Sequence, residues 1–132
     1  MTLLCNYFWV ACGGALGTVA RFALSGFVAE RFPSFPLGTL IINVSGSFVI
    51  GLFAALTEPQ GPWLVSPALR AFFMIGVCGG YTTFSSFSLQ TLNLAREGQW
   101  LYAGLNCLLS FVLCLVAVWL GYIAGLGFNT SK

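Results

Sequence analysis

The chain alternates between long uncharged stretches and short charged interruptions. No Asp, Glu, Lys or Arg occurs in residues 1–20, 32–57, 71–95 or 98–131. Each stretch has room for the roughly 20 apolar residues that carry a helix across the hydrocarbon core of a bilayer. The pattern predicts an all-α integral membrane protein with four transmembrane helices, near residues 7–28, 37–56, 68–94 and 100–125, in a single domain over 1–132. Residues 30–36 and 57–62 each hold two prolines and read as loops, and Arg96-Glu97-Gly98-Gln99 reads as a tight turn. Trp63 suits the membrane interface. Gly13 and Gly17 stand four apart on one face of the first helix, where small residues let another helix approach.

Composition strengthens the membrane reading. Of the 132 residues, 58% are hydrophobic and 6% charged, whereas a soluble domain carries about a quarter charged residues. The first segment is not expected to be a removable signal peptide. It lacks a basic start, Gly13-Gly14 interrupts its apolar run, and Arg21 falls where an export signal is still apolar. Cys5, Cys12, Cys78, Cys107 and Cys114 form no CxxC pair and there is no histidine, so the cysteines read as small apolar residues. A net charge of +2 argues against nucleic acid as a partner.

Loop charges hardly discriminate the two sides of the membrane. With the N-terminus on side A, Arg70 and Lys132 fall on A, Arg31 and Arg96 on B, and Arg21 near B. Orientation normally follows an excess of Lys and Arg on the cytoplasmic side. A chain without that excess can insert both ways, which permits an antiparallel, dual-topology homodimer.

The third segment carries an unusual run, Gly79-Gly80-Tyr81-Thr82-Thr83-Phe84-Ser85-Ser86-Phe87-Ser88. Adjacent glycines and β-branched threonines weaken a helix in mid-span, so a break is expected here. Freed backbone groups inside a bilayer need protein, water or an ion to satisfy them, and inward carbonyls are hard oxygen ligands for a cation. The plainer alternative is close packing at the glycines, with hydroxyls bonded back to their own helix. Phe84 and Phe87 share one helix face, and Ser85 and Ser88 a neighbouring one. A phenyl ring has a positive edge, so Phe edges beside hydroxyl donors suit a small hydrated anion. Segment two adds Thr39, Asn43 and Ser47 on one stripe, and segment four Asn106 and Ser110. Polar side chains in a span mark a polar pathway. Without an acidic residue among them, these point to anions or neutral solutes.

Taken together, Gly13-Gly14-Ala15-Leu16-Gly17 with Arg21, Gly38-Thr39-Leu40 through Asn43 and Gly46-Ser47, and the run from Gly79 to Phe87 resemble the Fluc (CrcB-type) fluoride channel family over nearly the whole chain. The resemblance implies passive, fluoride-selective export across the inner membrane of a bacterial cell, by an antiparallel homodimer with two pores. It implies that Phe84 and Phe87 turn their ring edges to fluoride, and that Asn43 bonds the ion or orients the neighbouring ring. Gly79 and Thr82 would offer backbone carbonyls to a structural sodium ion at the dimer interface. Arg21 and Thr39 match polar vestibule positions. Family members often carry a tyrosine and a serine in the last helix. Asn106 and Ser110 stand there, so the tyrosine departs.

Two other functions fit the pattern less well. A proton-coupled multidrug transporter needs a titratable group within the membrane, and Glu30, Glu58 and Glu97 all lie in loops. A scaffold would explain the glycines but not three polar stripes. No histidine, intramembrane carboxylate or nucleophile–base pair is present to support an enzyme.

Overall fold

The structure, a computed structural model, describes residues 2–128, so Lys132, counted above on side A, lies outside the described residues. Among the described residues all regular structure is helical. Helix α1 runs Thr2–Arg31 and α2 runs Leu37–Leu56. The third span, Pro67–Arg96, is assembled from pieces. It comprises α3 (Pro67–Ala71), a π-helical segment (Phe72–Cys78), α4 (Gly79–Tyr81) and α5 (Phe84–Arg96). Helix α6 runs Trp100–Gly127. Among the described residues four spans are long and apolar enough to cross a membrane.

Local chemistry explains most of the boundaries. Helix α1 runs past its expected end at residue 28 because Ala29, Glu30 and Arg31 are all helix-compatible. It stops before Pro33, whose ring disfavours the helical region for the preceding residue. Ser66 caps the third span, its Oγ accepting from the Leu69 N–H at 3.2 Å ahead of Pro67. Helix α5 closes at Gly98, whose φ of 76° relieves the chain into the next turn.

Between α4 and α5 the chain leaves the helical region for two residues. Thr82 (φ −78°, ψ 158°) and Thr83 (φ −154°, ψ 113°) are both extended. Thr83 then caps α5, its Oγ1 accepting from the Ser86 N–H at 3.2 Å. The π segment upstream, separated from these residues by α4, winds more residues into each turn, a feature frequent at functional positions.

Two packed layers hold this span in place. Helix α1 lies along the π segment and α4, and α2 lies along α6. A Cβ on Gly13 would run into the Phe72 carbonyl oxygen, and one on Gly17 into that of Val77. The glycines of the first helix thus seat it backbone-to-backbone on the third span of the same chain. Ile42 and Ala55 of α2 are fully buried, while Phe22, Leu64, Trp100 and Phe111 point outward. Large apolar side chains covering the outside are expected when the surrounding solvent is lipid.

Candidate functional site

The site is organised by a trade of hydrogen bonds between α2 and the third span. In an uninterrupted helix the Thr83 N–H would bond to the Gly79 carbonyl, four residues back. Here it donates to Asn43 Oδ1 at 2.8 Å, and Asn43 Nδ2 donates to the Thr83 carbonyl at 3.0 Å. One side-chain amide of α2 therefore replaces the partners on both sides of Thr83. The Ser86 N–H is likewise diverted to Thr83 Oγ1, away from the Thr82 carbonyl. These two exchanges leave the Gly79 and Thr82 carbonyls without their helical donors.

Side chains of α1 and α2 tie this stretch further. Arg21 Nη1 reaches the Thr82 carbonyl at 3.4 Å, a long contact, and Thr18 Oγ1 reaches the Gly80 carbonyl at 3.5 Å. The Tyr81 hydroxyl and Ser45 Oγ lie 2.9 Å apart, tying α4 to α2 just before the extended residues.

Beside these bonds runs a groove of about 790 Å³. Its walls include Asn43 from α2, Gly79, Thr82, Phe84 and Phe87 from the third span, and Ser110 from α6. The two phenyl centroids are 5.2 Å apart with ring planes at 48°. Phe84 is 78% exposed, so its ring stands out of the chain rather than in its core. The lining is mainly apolar, with three phenyl rings (Phe84, Phe87 and Phe111) and the polar side chains of Asn43, Ser47, Thr82, Thr83 and Ser110 set among them.

Six of the residues expected to form a site thus meet in one groove, and five lie elsewhere. Thr39 lines a second cavity, of about 500 Å³. Arg21 stands behind the third span, on the Thr82 carbonyl. Ser88 Oγ donates to the Phe84 carbonyl at 2.9 Å, and Ser85 Oγ lies 3.3 Å from Thr83 Oγ1. Both hydroxyls serve the α5 N-terminus, because the first turn of a helix faces its own cap. Asn106 is 2% exposed, and its Nδ2 donates to Thr91 Oγ1 at 2.8 Å. Thr91 Oγ1 in turn donates to the Phe87 carbonyl at 2.8 Å. Asn106 therefore braces the helix that carries Phe87, while its neighbour Cys107 lines the groove.

Sequence reasoning missed Thr83 and Thr91. Thr83 left a trace, since a threonine three residues before Ser86 at the head of an amphipathic run is a cap pattern. The role of Thr91 depends on which way α6 is turned and left none.

The comparisons with known proteins agree with one another. The family model described as "CrcB-like protein, Camphor Resistance (CrcB)" matches residues 8–122. A protein of Opitutus terrae named "Fluoride-specific ion channel FluC" is 61% identical over 127 residues, covering 96% of each chain. Proteins of the same name from Methylocella silvestris and Rhodospirillum rubrum are 55% and 58% identical, covering 96% and 94% of this chain and 98% and 97% of their own. These relatives are named as ion channels, not as enzymes. With its four apolar spans, the chain is a multi-pass membrane protein. The resemblance read from the motifs is thereby established at family level: the chain belongs to the CrcB-like family.

Proposed function

We propose that the chain is a fluoride-selective channel that lets fluoride leave the cell passively through the inner membrane. The observation that carries this reading is the pair of hydrogen bonds between the Asn43 amide and the Thr83 backbone. It holds the third span open and sets Phe84 and Phe87 at the head of α5, on a groove shared with Ser110. Fluoride is small and tightly hydrated, so a path must replace its water with compact donors. Ring edges carry partial positive charge, and the Ser110 hydroxyl adds a donor. No carboxylate lines the groove to repel an anion. Larger halides would gain less from the same contacts.

The working unit of this proposal is an antiparallel homodimer of dual topology with two pores. The groove is open along one side of the single chain and Phe84 is mostly exposed, which suits closure by a second copy. A structural sodium ion at the dimer axis completes the reading. The donor set fits it in part: Gly79 and Thr82 both line the groove, the Gly79 carbonyl is released from helical bonding, the Thr82 carbonyl keeps only the long Arg21 contact at 3.4 Å, and neutral oxygens are the ligands a hard cation takes. Its positive charge would lower the cost of an anion at the bilayer centre. Asn43 is on this account a positioning residue for the rings and the carbonyls alike.

Purified protein in liposomes decides the matter. Fast fluoride efflux, indifferent to proton gradients and without matching chloride flux, is the expected result; efflux no faster than from empty vesicles would refute the channel. Exchanging sodium for a bulky organic cation during purification should weaken the dimer, and a dimer equally stable without sodium would remove the ion from the proposal.

A further inference from the structure

The second cavity lies one helical turn from the groove along two elements at once. Thr39 in the cavity and Asn43 in the groove are four residues apart on α2; Gln90 and Phe87 are three apart on α5. Residues at these spacings share a helix face, so the cavity and the groove lie along the same faces of α2 and α5. At the junction Gln90 Oε1 is buried and has no hydrogen-bond partner among the described residues. Packing normally satisfies such an atom, and an acceptor left over is at home where water reaches it.

One charged side chain lines this cavity, that of Glu97. It occupies the C-terminal cap of α5, where the helix dipole adds further negative potential. Its Oε2 accepts from Gln99 Nε2 at 3.1 Å, a neutral partner that orders the carboxylate without cancelling its charge. Arg96, next along the chain, and Arg31, whose guanidinium lies 4.9 Å over the Phe27 ring, do not line the cavity.

We propose that the cavity and the groove are successive stages of one passage and that Glu97 is an electrostatic brake at its mouth, a fixed negative charge that limits how often an anion enters from that end. The inference rests on the fluoride reading and adds a rate-determining residue to it. A charge of the opposite sign concentrates an ion at a cleft, and one of the same sign depletes it. The effect must fade with salt, because the screening length falls from about 30 Å at 0.01 M to about 3 Å at 1 M.

Fluoride efflux from vesicles holding the parent chain, Glu97→Gln or Glu97→Lys, measured at low and high ionic strength, tests the brake. At low salt Glu97→Gln should run about two-fold faster than the parent, the size of a unit charge roughly 8 Å from the ion in water. Glu97→Lys should be faster still, and all three should converge at high salt. A Glu97→Gln rate equal to the parent at low salt overturns the proposal, as does a gain that survives high salt and is therefore geometric. Vesicles in which the parent itself passes no fluoride overturn the fluoride reading and the brake with it.

Discussion

At the scale of single residues, Phe84 and Asn43 separate two kinds of contribution. Phe84 is 78% exposed and supports little of the chain's own packing. Phe84→Ile should therefore leave the fold and its thermal midpoint nearly unchanged while reducing fluoride efflux to background; unchanged flux would take this ring out of the mechanism. Asn43 is different, because it satisfies both the N–H and the C=O of Thr83. Leaving buried backbone groups unpaired costs about 1–3 kcal/mol each, so Asn43→Leu should lower both stability and flux. Asn43→Asp keeps the acceptor for the Thr83 N–H and should recover part of the stability. Equal thermal midpoints for the Leu and Asp variants would mean that the amide is not what holds Thr83. Ser110 and Asn106 show how far sequence reached at this scale. Both were legible as polar positions of one helix, four residues apart. Only the rotation of α6 decides that Ser110 meets the groove while Asn106 turns to Thr91, and a spacing of four leaves that rotation open.

At the scale of elements, the legible boundaries are those written in local chemistry. Helix α2 begins and ends where expected, at Leu37 and Leu56, because prolines and a polar turn bracket it. The weak point of the third span was visible in Gly79-Gly80 and the two threonines, but the exact residues that leave the helix depend on an amide twoscore residues away in α2. The π segment had no visible mark at all. Its fit against α1 supplies a prediction with opposite signs at neighbouring glycines. Both Gly14→Ala and Gly17→Ala gain helix propensity, up to about 1 kcal/mol. A Cβ at Gly14 meets open space, whereas at Gly17 it would collide with the Val77 carbonyl and the Tyr81 N–H region. Overpacking of this kind costs about 1–3 kcal/mol. Thermal melts in detergent should show Gly14→Ala at or above the parent and Gly17→Ala below it. Should the two variants melt together, α1 does not press on the third span at Gly17.

For the whole molecule the open question is which way the chain faces, and its charges bear on that directly. Arg31 and Arg96 lie at one end of the bundle, Arg70 at the other, and Arg21 part-way along α1. So small a bias gives the insertion machinery little to read. It matches the proposed dimer, in which one copy is inverted so that two open grooves face each other. In a variant with its five cysteines replaced and Gln60→Cys placed in the exposed loop after α2, an impermeant thiol reagent should label about half of the chains in sealed cells and the rest only after permeabilisation, as equal insertion both ways requires. Labelling of all or none before permeabilisation would exclude dual topology. Two lysines added to the same loop should then push the population to one orientation. If antiparallel pairing builds the pore, that biased variant alone should lose fluoride flux. Co-expression with a chain carrying two added lysines in the turn near Gly98 should restore it, because each would supply the orientation the other lacks. Full flux from the biased chain by itself would show that one orientation suffices, and the groove would then have to be closed by some other geometry.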